Sequence, residues 1–133
     1  LFLRNLFLNT GEAIGDNLKS YLLLLRRNQS EDLAIPEADM LSRFGEWIQS
    51  LQSRNVLRFV ERLKHSAEGA TIRAPSGAAE VTGPHSERGE SVIGIFLVEV
   101  ADQAEAQAIA KECPILLVGG SVEVRETDSL PSS

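Results

Sequence analysis

Two stretches of this chain are apolar on both sides of an extended strand, and no other pattern in it constrains the fold as much. In residues 20–26, SYLLLLR, period-two spacing puts Tyr21, Leu23 and Leu25 on one side and Leu22 and Leu24 on the other. In residues 91–100, SVIGIFLVEV, the same spacing puts Val92, Phe96, Val98 and Val100 opposite Ile93, Ile95 and Leu97. A strand with two apolar sides must be covered on both. A further strand is expected to start in 56–60, and in 121–125 Val122 and Val124 alternate inward with Glu123 and Arg125 outward.

Helical spacing takes over between these strands. From 36 to 54, Met40, Leu41, Phe44, Trp47, Ile48 and Leu51 recur every 3.6 residues, with Ser42, Arg43, Glu46, Gln49 and Ser50 largely opposite. Pro36 suits a first helical position, Glu37 and Asp39 suit the positive end of the helix dipole, and Asn55 suits a left-handed stop. A second helix follows Asp102, whose side chain makes a capping-box pattern with Glu105. Ala104, Ala106, Ala108, Ile109 and Ala110 give that helix a small-residue face. Pro114 pushes Cys113 into extended geometry and ends it. Gly119-Gly120 predicts a tight turn. Between 61 and 90, ATIRAPSGAAEVT reads as a hairpin turning at Pro75-Ser76-Gly77 and extending the main sheet.

The element order is therefore β-α-β, hairpin, β-α-β. Right-handed crossovers fold that order into an α+β ferredoxin-like sandwich, an antiparallel sheet with two helices on one face. The other face stays apolar, and in a domain this small a second copy must hide it, so a homodimer joined through its sheet faces is expected. The expected limits are an accessory arm at 1–17, the domain at 18–126 and a tail at 127–133. Leu3, Leu6 and Phe7 cluster at helical spacing in the arm, and Gly11, Gly15, Asp16 and Asn17 separate it from the domain.

At 133 residues, 43% hydrophobic and 24% charged, the chain reads as one globular domain. A net charge of −6 argues against a nucleic-acid partner. The nearest basic cluster, Arg54, Arg58, Arg62 and Lys64, is interrupted by Glu61. With one cysteine, Cys113, neither an intramolecular disulfide nor a multi-thiolate zinc site can form, which fits a reducing, cytoplasmic compartment. No apolar run approaches the ~18–20 residues of a membrane span, so no membrane partner is expected.

Candidate chemistry is sparse. His85 sits in a Gly-Pro loop with Glu87 and Glu90 nearby, and an imidazole beside a carboxylate is a candidate general base. The competing reading is an exposed structural histidine. Arg73 and Arg125 are candidates to hold an anion, and Glu123 with Arg125 is expected to form an ion pair involving Arg26 or Arg73. Tyr21 is a candidate to point its hydroxyl into a cleft between helix and sheet, while Trp47 is assigned to the core. Cys113 reads as a buried small hydrophobe rather than a nucleophile. His65, His85, Glu87 and Glu90 are suitable metal ligands by type, but they lack motif spacing and no metal site is expected. Phosphate-loop, dinucleotide and nucleophile-elbow patterns are missing, and no cofactor is expected.

The wording of the last third is specific. VTGPHSERGE, then a glycine-containing apolar strand, an Ala-rich helix ending in Cys-Pro, and GGSVEVRE resemble the YCII-related, or DGPF-domain, family. FGEWIQSLQSRNVL resembles that family's first helix and the turn leading out of it, and the likeness runs over about 18–126. The resemblance implies a ferredoxin-like fold assembled as a dimeric α/β barrel, and a few relatives that act on small aromatic or lactone-type molecules. It also implies a catalytic His/Asp pair, proposed for one branch, which this chain does not reproduce. Thr82 stands where the signature has Asp, His85 where it has Phe, and Gly89 where a Lys is common. Nor does the first helix, 36–54, contain a histidine. What carries over is Gly83, Pro84, Glu87 and Glu90, with Cys113, Pro114, Glu123 and Arg125.

Two functions fit. One is a small-molecule-binding homodimer without catalysis, with Tyr21, Arg73, Glu87 and Arg125 as ligand contacts. The other is a cofactor-free enzyme that moves a proton on a small organic acid or aromatic (isomerisation, elimination or lactone opening) with His85 as base. A regulatory role is a third possibility, because relatives are sometimes fused to sigma-factor-like regulators. The first two separate on whether His85 faces a concave, partly apolar pocket.

Overall fold

A computed structural model describes residues 17–85 and 89–128. The first half is β1 (Lys19–Arg27), α1 (Glu37–Ser53) and β2 (Leu57–Arg62). A hairpin of β3 (Thr71–Arg73) and β4 (Glu80–Thr82) follows, and then β5 (Ser91–Val100), α2 (Gln103–Ala110) and β6 (Ser121–Glu126). The four long strands form one antiparallel sheet in the order β2-β5-β1-β6. Each half contributes one central strand and one edge strand, so the halves interlock as expected of the ferredoxin-like α+β fold. The parts of the expected arm and tail at 1–16 and 129–133 lie outside the described residues.

The strand alternation is realised in burial. On β1, Tyr21, Leu23 and Leu25 are buried toward the helices, whereas Leu22 and Leu24 are partly covered on the opposite face. Phe96, Val98 and Val100 of β5 and Leu57 and Val60 of β2 complete the helix-side floor. Met40, Trp47 and Leu51 of α1 come down on it, and the Trp47 ring lies 4.6 Å from that of Phe96. Leu41, one of the apolar α1 positions, is 48% exposed.

In α2 the buried residues are Ala106, Ile109 and Ala110, with Cys113 continuing the same row. Ala104 and Ala108 fall on the solvent side, so only part of the alanine run meets the sheet. Small side chains here let the helix lie close. Asp102 accepts a hydrogen bond from the Glu105 N–H at 2.9 Å, and Glu105 returns one to the Ala101 N–H at 3.0 Å. That is the expected capping pattern, displaced by one residue on the return bond. Asn55 has the left-handed conformation that ends α1, with φ 57°.

Three features depart from the sequence pattern. First, β5 carries a bulge: Leu25 pairs with Gly94, but Arg26 pairs with Val92. The extra residue reverses the alternation, so Val92 faces away from the helices with Arg26, and Ile93 packs against the core. The expected sides of Val92 and Ile93 are thus exchanged. Second, β3 and β4 form their own two-stranded sheet instead of extending the main one. Third, a 3-10 turn at Pro114–Val118 links α2 to β6, tied down by the buried Arg27, which donates to the Val118 carbonyl.

Both helices pack on the same face. Among the described residues neither of the two helices packs on the other face, where Leu22, Leu24, Phe59, Ile95 and Leu97 are each partly buried. Near one end of that face, Arg58 and Glu99 form an ion pair at 3.3 Å, their side chains only 9% and 5% exposed. Arg58 is the extra residue of a second bulge, in β2, and also donates to the Asn55 and Leu57 carbonyls.

Two glycines make opposite predictions. A Cβ on Gly120 would lie 2.4 Å from Ile115 Cγ1 and 2.6 Å from the Arg26 carbonyl oxygen. Gly120→Ala is expected to destabilise the domain by about 1–3 kcal/mol through overpacking. Gly45 sits exposed inside α1 with nothing within 4 Å of such a Cβ. Gly45→Ala is expected to stabilise by about 1 kcal/mol through helix propensity. Urea unfolding followed by Trp47 fluorescence measures both.

Candidate functional site

A cleft of about 670 Å³ lies at the end of the sheet where β1 finishes and β5 begins. Arg26 and Val92, the register pair that the bulge turns away from the helices, both line it. No residue of α1 or α2 does.

One wall is the connection after β2. The Leu63 N–H still donates to the Ile93 carbonyl at 3.0 Å, holding the chain against β5 as the strand ends. His65 then caps the 3-10 turn at Ser66–Glu68, its Nδ1 accepting from the Ala67 N–H at 3.0 Å. The Ser66 N–H donates to Gln29 Oε1 at 3.1 Å, and Ser91 Oγ lies 3.3 Å from Ser66 Oγ. The opposite wall is the segment leaving β4, with Pro84 and His85. Arg73 Nη2 lies 3.4 Å from His85 Nδ1. Ser121 Oγ donates to Glu90 Oε1 at 3.0 Å. At the β1 end, Arg26 pairs with Glu123, whose other oxygen is 3.6 Å from Arg125 Nε.

The expected site residues scatter over this frame. His85 lines the cleft, and Arg73 stands behind it. Arg125 lies on the sheet face opposite the helices, joined to the cleft only through Glu123 and Arg26. Tyr21 is 1% exposed on the helix side of β1, so its hydroxyl is not in this cleft. Glu87 lies outside the described residues. The expected ion pair of Glu123 with Arg125 involves Arg26 rather than Arg73.

Sequence reasoning did not assign His65 to the cleft, although both histidines of the chain line it. A signal existed. The two residues flank the 71–82 hairpin, and closing a hairpin brings its flanks together. Lys64, with no ion pair among the described residues, was missed with it.

Hydrogen bonding fixes what the two rings can do. A backbone N–H and a guanidinium can only donate, so Nδ1 of each ring is the acceptor and the neutral ring carries its proton on Nε2. The two histidines, Lys64, Ser66 and Ser91 line the cleft together with Arg26 and the carboxylates of Glu68 and Glu90, and its apolar parts are Leu63, Ala70, Pro84 and Val92. Among the described residues, no three His, Cys, Asp or Glu side chains gather as metal ligands. No helix among them is long and apolar enough to cross a membrane.

A smaller groove of about 380 Å³ runs between α1 and the Pro114–Val118 turn, with Cys113 among its lining residues. The Cys113 residue is only 2% exposed. Burial pushes its thiol up from 9.0 to about 12, against a smaller opposing pull from a backbone hydrogen bond of Ile115. The thiol is therefore expected to resist alkylation by iodoacetamide at pH 8 until the protein is unfolded, as read by mass spectrometry. Because the folded state holds this proton more tightly, the resulting stability is present below about pH 9 and is lost as pH rises toward about 12.

The sequence model for the YCII-related domain matches residues 20–128. No curated protein matches the chain.

Proposed function

The chain belongs to the YCII-related family, and on that premise we propose that it is a small-molecule-binding domain acting as a cytoplasmic homodimer joined through its sheet faces. The observation that carries the binding part is the cleft that gathers both histidines. Its volume, about 670 Å³, falls in the ~300–1,000 Å³ range of sites for small ligands. N–H and O–H donors beside an apolar floor suit a small organic molecule with an oxygen-rich end and an aliphatic or aromatic body. The dimer is supported by the sheet face opposite the two helices, where Leu22, Leu24, Ile95 and Leu97 are apolar and only partly buried.

A second reading is favoured by the position of His85 in the cleft: a cofactor-free enzyme that moves a proton on a small organic acid or aromatic, with His85 as base. That role requires a free ring nitrogen. Nδ1 points to Arg73 and Nε2 carries the proton, so the ring must first leave Arg73. Binding without catalysis needs no such step, which is why it is the first reading.

A thermal-shift screen with small aromatic acids and lactones tests the binding site. A ligand that raises the melting temperature of the native protein is expected to bind at least tenfold more weakly to His65→Ala and to His85→Ala, with folding unchanged by circular dichroism. Hits that ignore both substitutions would remove the cleft from the account. Leu97→Glu, which puts a charge in the middle of the face opposite the helices, is expected to give a folded monomer by light scattering.

A further inference from the structure

We propose that the groove between α1 and the Pro114–Val118 turn is a second ligand site, one that takes a small apolar carboxylate. It lies on the helix side of the domain and shares no lining residue with the cleft. Three observations converge on it.

The groove holds an unmade hydrogen bond. Trp47 lines it, is 5% exposed, and packs against Phe96 at 4.6 Å and edge-on to Phe44 at 6.2 Å. Its Nε1 N–H is buried and has no acceptor among the described residues. Buried donors are nearly always paired, and a core indole ordinarily finds a partner. Bulk water does not reach this one. An acceptor seated against the ring from the groove is what completes it.

The groove also carries apolar side chains that cannot turn inward. Ile115 and Val118 fill the interior, which leaves Leu116 and Leu117 outward, 45% and 53% exposed. The turn is pinned in that setting. The Gly120 N–H donates to the Ile115 carbonyl at 2.9 Å, and Arg27 donates to the Val118 carbonyl at 3.4 Å. A hydrocarbon or aromatic body lying over the two leucines removes their surface from water.

The free charge of the groove is positive. Of its four charged lining residues, Glu112 is held by Arg54 in a two-pronged pair at 3.2 Å. Arg43, Lys111 and Glu46 make no ion pair among the described residues. Together they leave one positive charge, in a chain whose net charge is −6. A carboxylate answers both needs, since it carries the opposite charge and accepts from an indole N–H. The groove's volume, about 380 Å³, lies within the ~300–1,000 Å³ of small-ligand sites and sets the size at that of an arylalkanoic acid.

Trp47 is the single tryptophan of the chain, so its indole N–H gives one resonance. The full chain, isotope-labelled, is titrated with 4-phenylbutyrate and in parallel with the neutral amide of that acid. The indole signal is expected to move downfield and saturate, with the acid bound at least tenfold more tightly than the amide. Arg43→Gln/Lys111→Gln is expected to keep its fold by circular dichroism and to bind the acid at least tenfold more weakly. Trp47→Phe, followed by calorimetry, is expected to bind it at least fivefold more weakly. An indole resonance that stays in place up to the solubility limit of the acid overturns the site, and so does equal affinity for acid and amide. A response that disappears in His85→Ala puts the probe in the cleft and overturns the groove as its seat. The wild-type titrations decide the matter even if a variant fails to fold, and their failure leaves the reading of the cleft untouched.

Discussion

The pairing of β1 with β5 is the contact on which the rest of the molecule depends. These are the two longest strands and they lie side by side in the centre, each from a different half of the chain. Once they pair, α1 and α2 have a common floor of Tyr21, Leu23, Leu25, Phe96, Val98 and Val100, and the two edge strands have places on either side. The same pairing sets the second face of the sheet. It fixes Leu22, Leu24, Ile95 and Leu97, each partly buried, on the side opposite both helices. Full burial of one face and partial burial of the other are consequences of a single register.

Much of this register was legible because its signals are local and periodic. Alternation in 20–26 and 91–100, the apolar row of α1, the Asp102 cap and the Asn55 stop each need only a few neighbouring residues. The side assignments of Val92 and Ile93 were not legible, since period-two reasoning assumes an unbroken ladder. Gly94 was the available warning: a Cβ there would lie 3.2 Å from the Glu61 carbonyl oxygen, and a glycine within a strand often marks such a bulge. The detachment of the hairpin depends on which strand edge its residues can reach. No short window of sequence contains that information.

The candidate site was read less completely than the fold, for a related reason. His85 was found because its Gly-Pro loop is conspicuous. His65 sits in an ordinary polar stretch and becomes its neighbour only through the hairpin between them. Alternation says that two faces differ without saying which one hosts a pocket, and Tyr21 is buried on the helix side, outside the lining of the cleft. The cleft lies on the side without helices, and its histidines are set as donors by a backbone amide and an arginine.

The bulge in β5 acts as a phase slip between two functions of one strand. Downstream of it, from Phe96 to Val100, each inward residue answers to the hydrophobic interior and has little freedom. Upstream, Ser91 and Val92 answer to the cleft. A single inserted residue thus insulates the lining from the scaffold. Side chains at Ser91 and Val92 can therefore change without disturbing the packing of Phe96, Val98 and Val100 that keeps the domain folded.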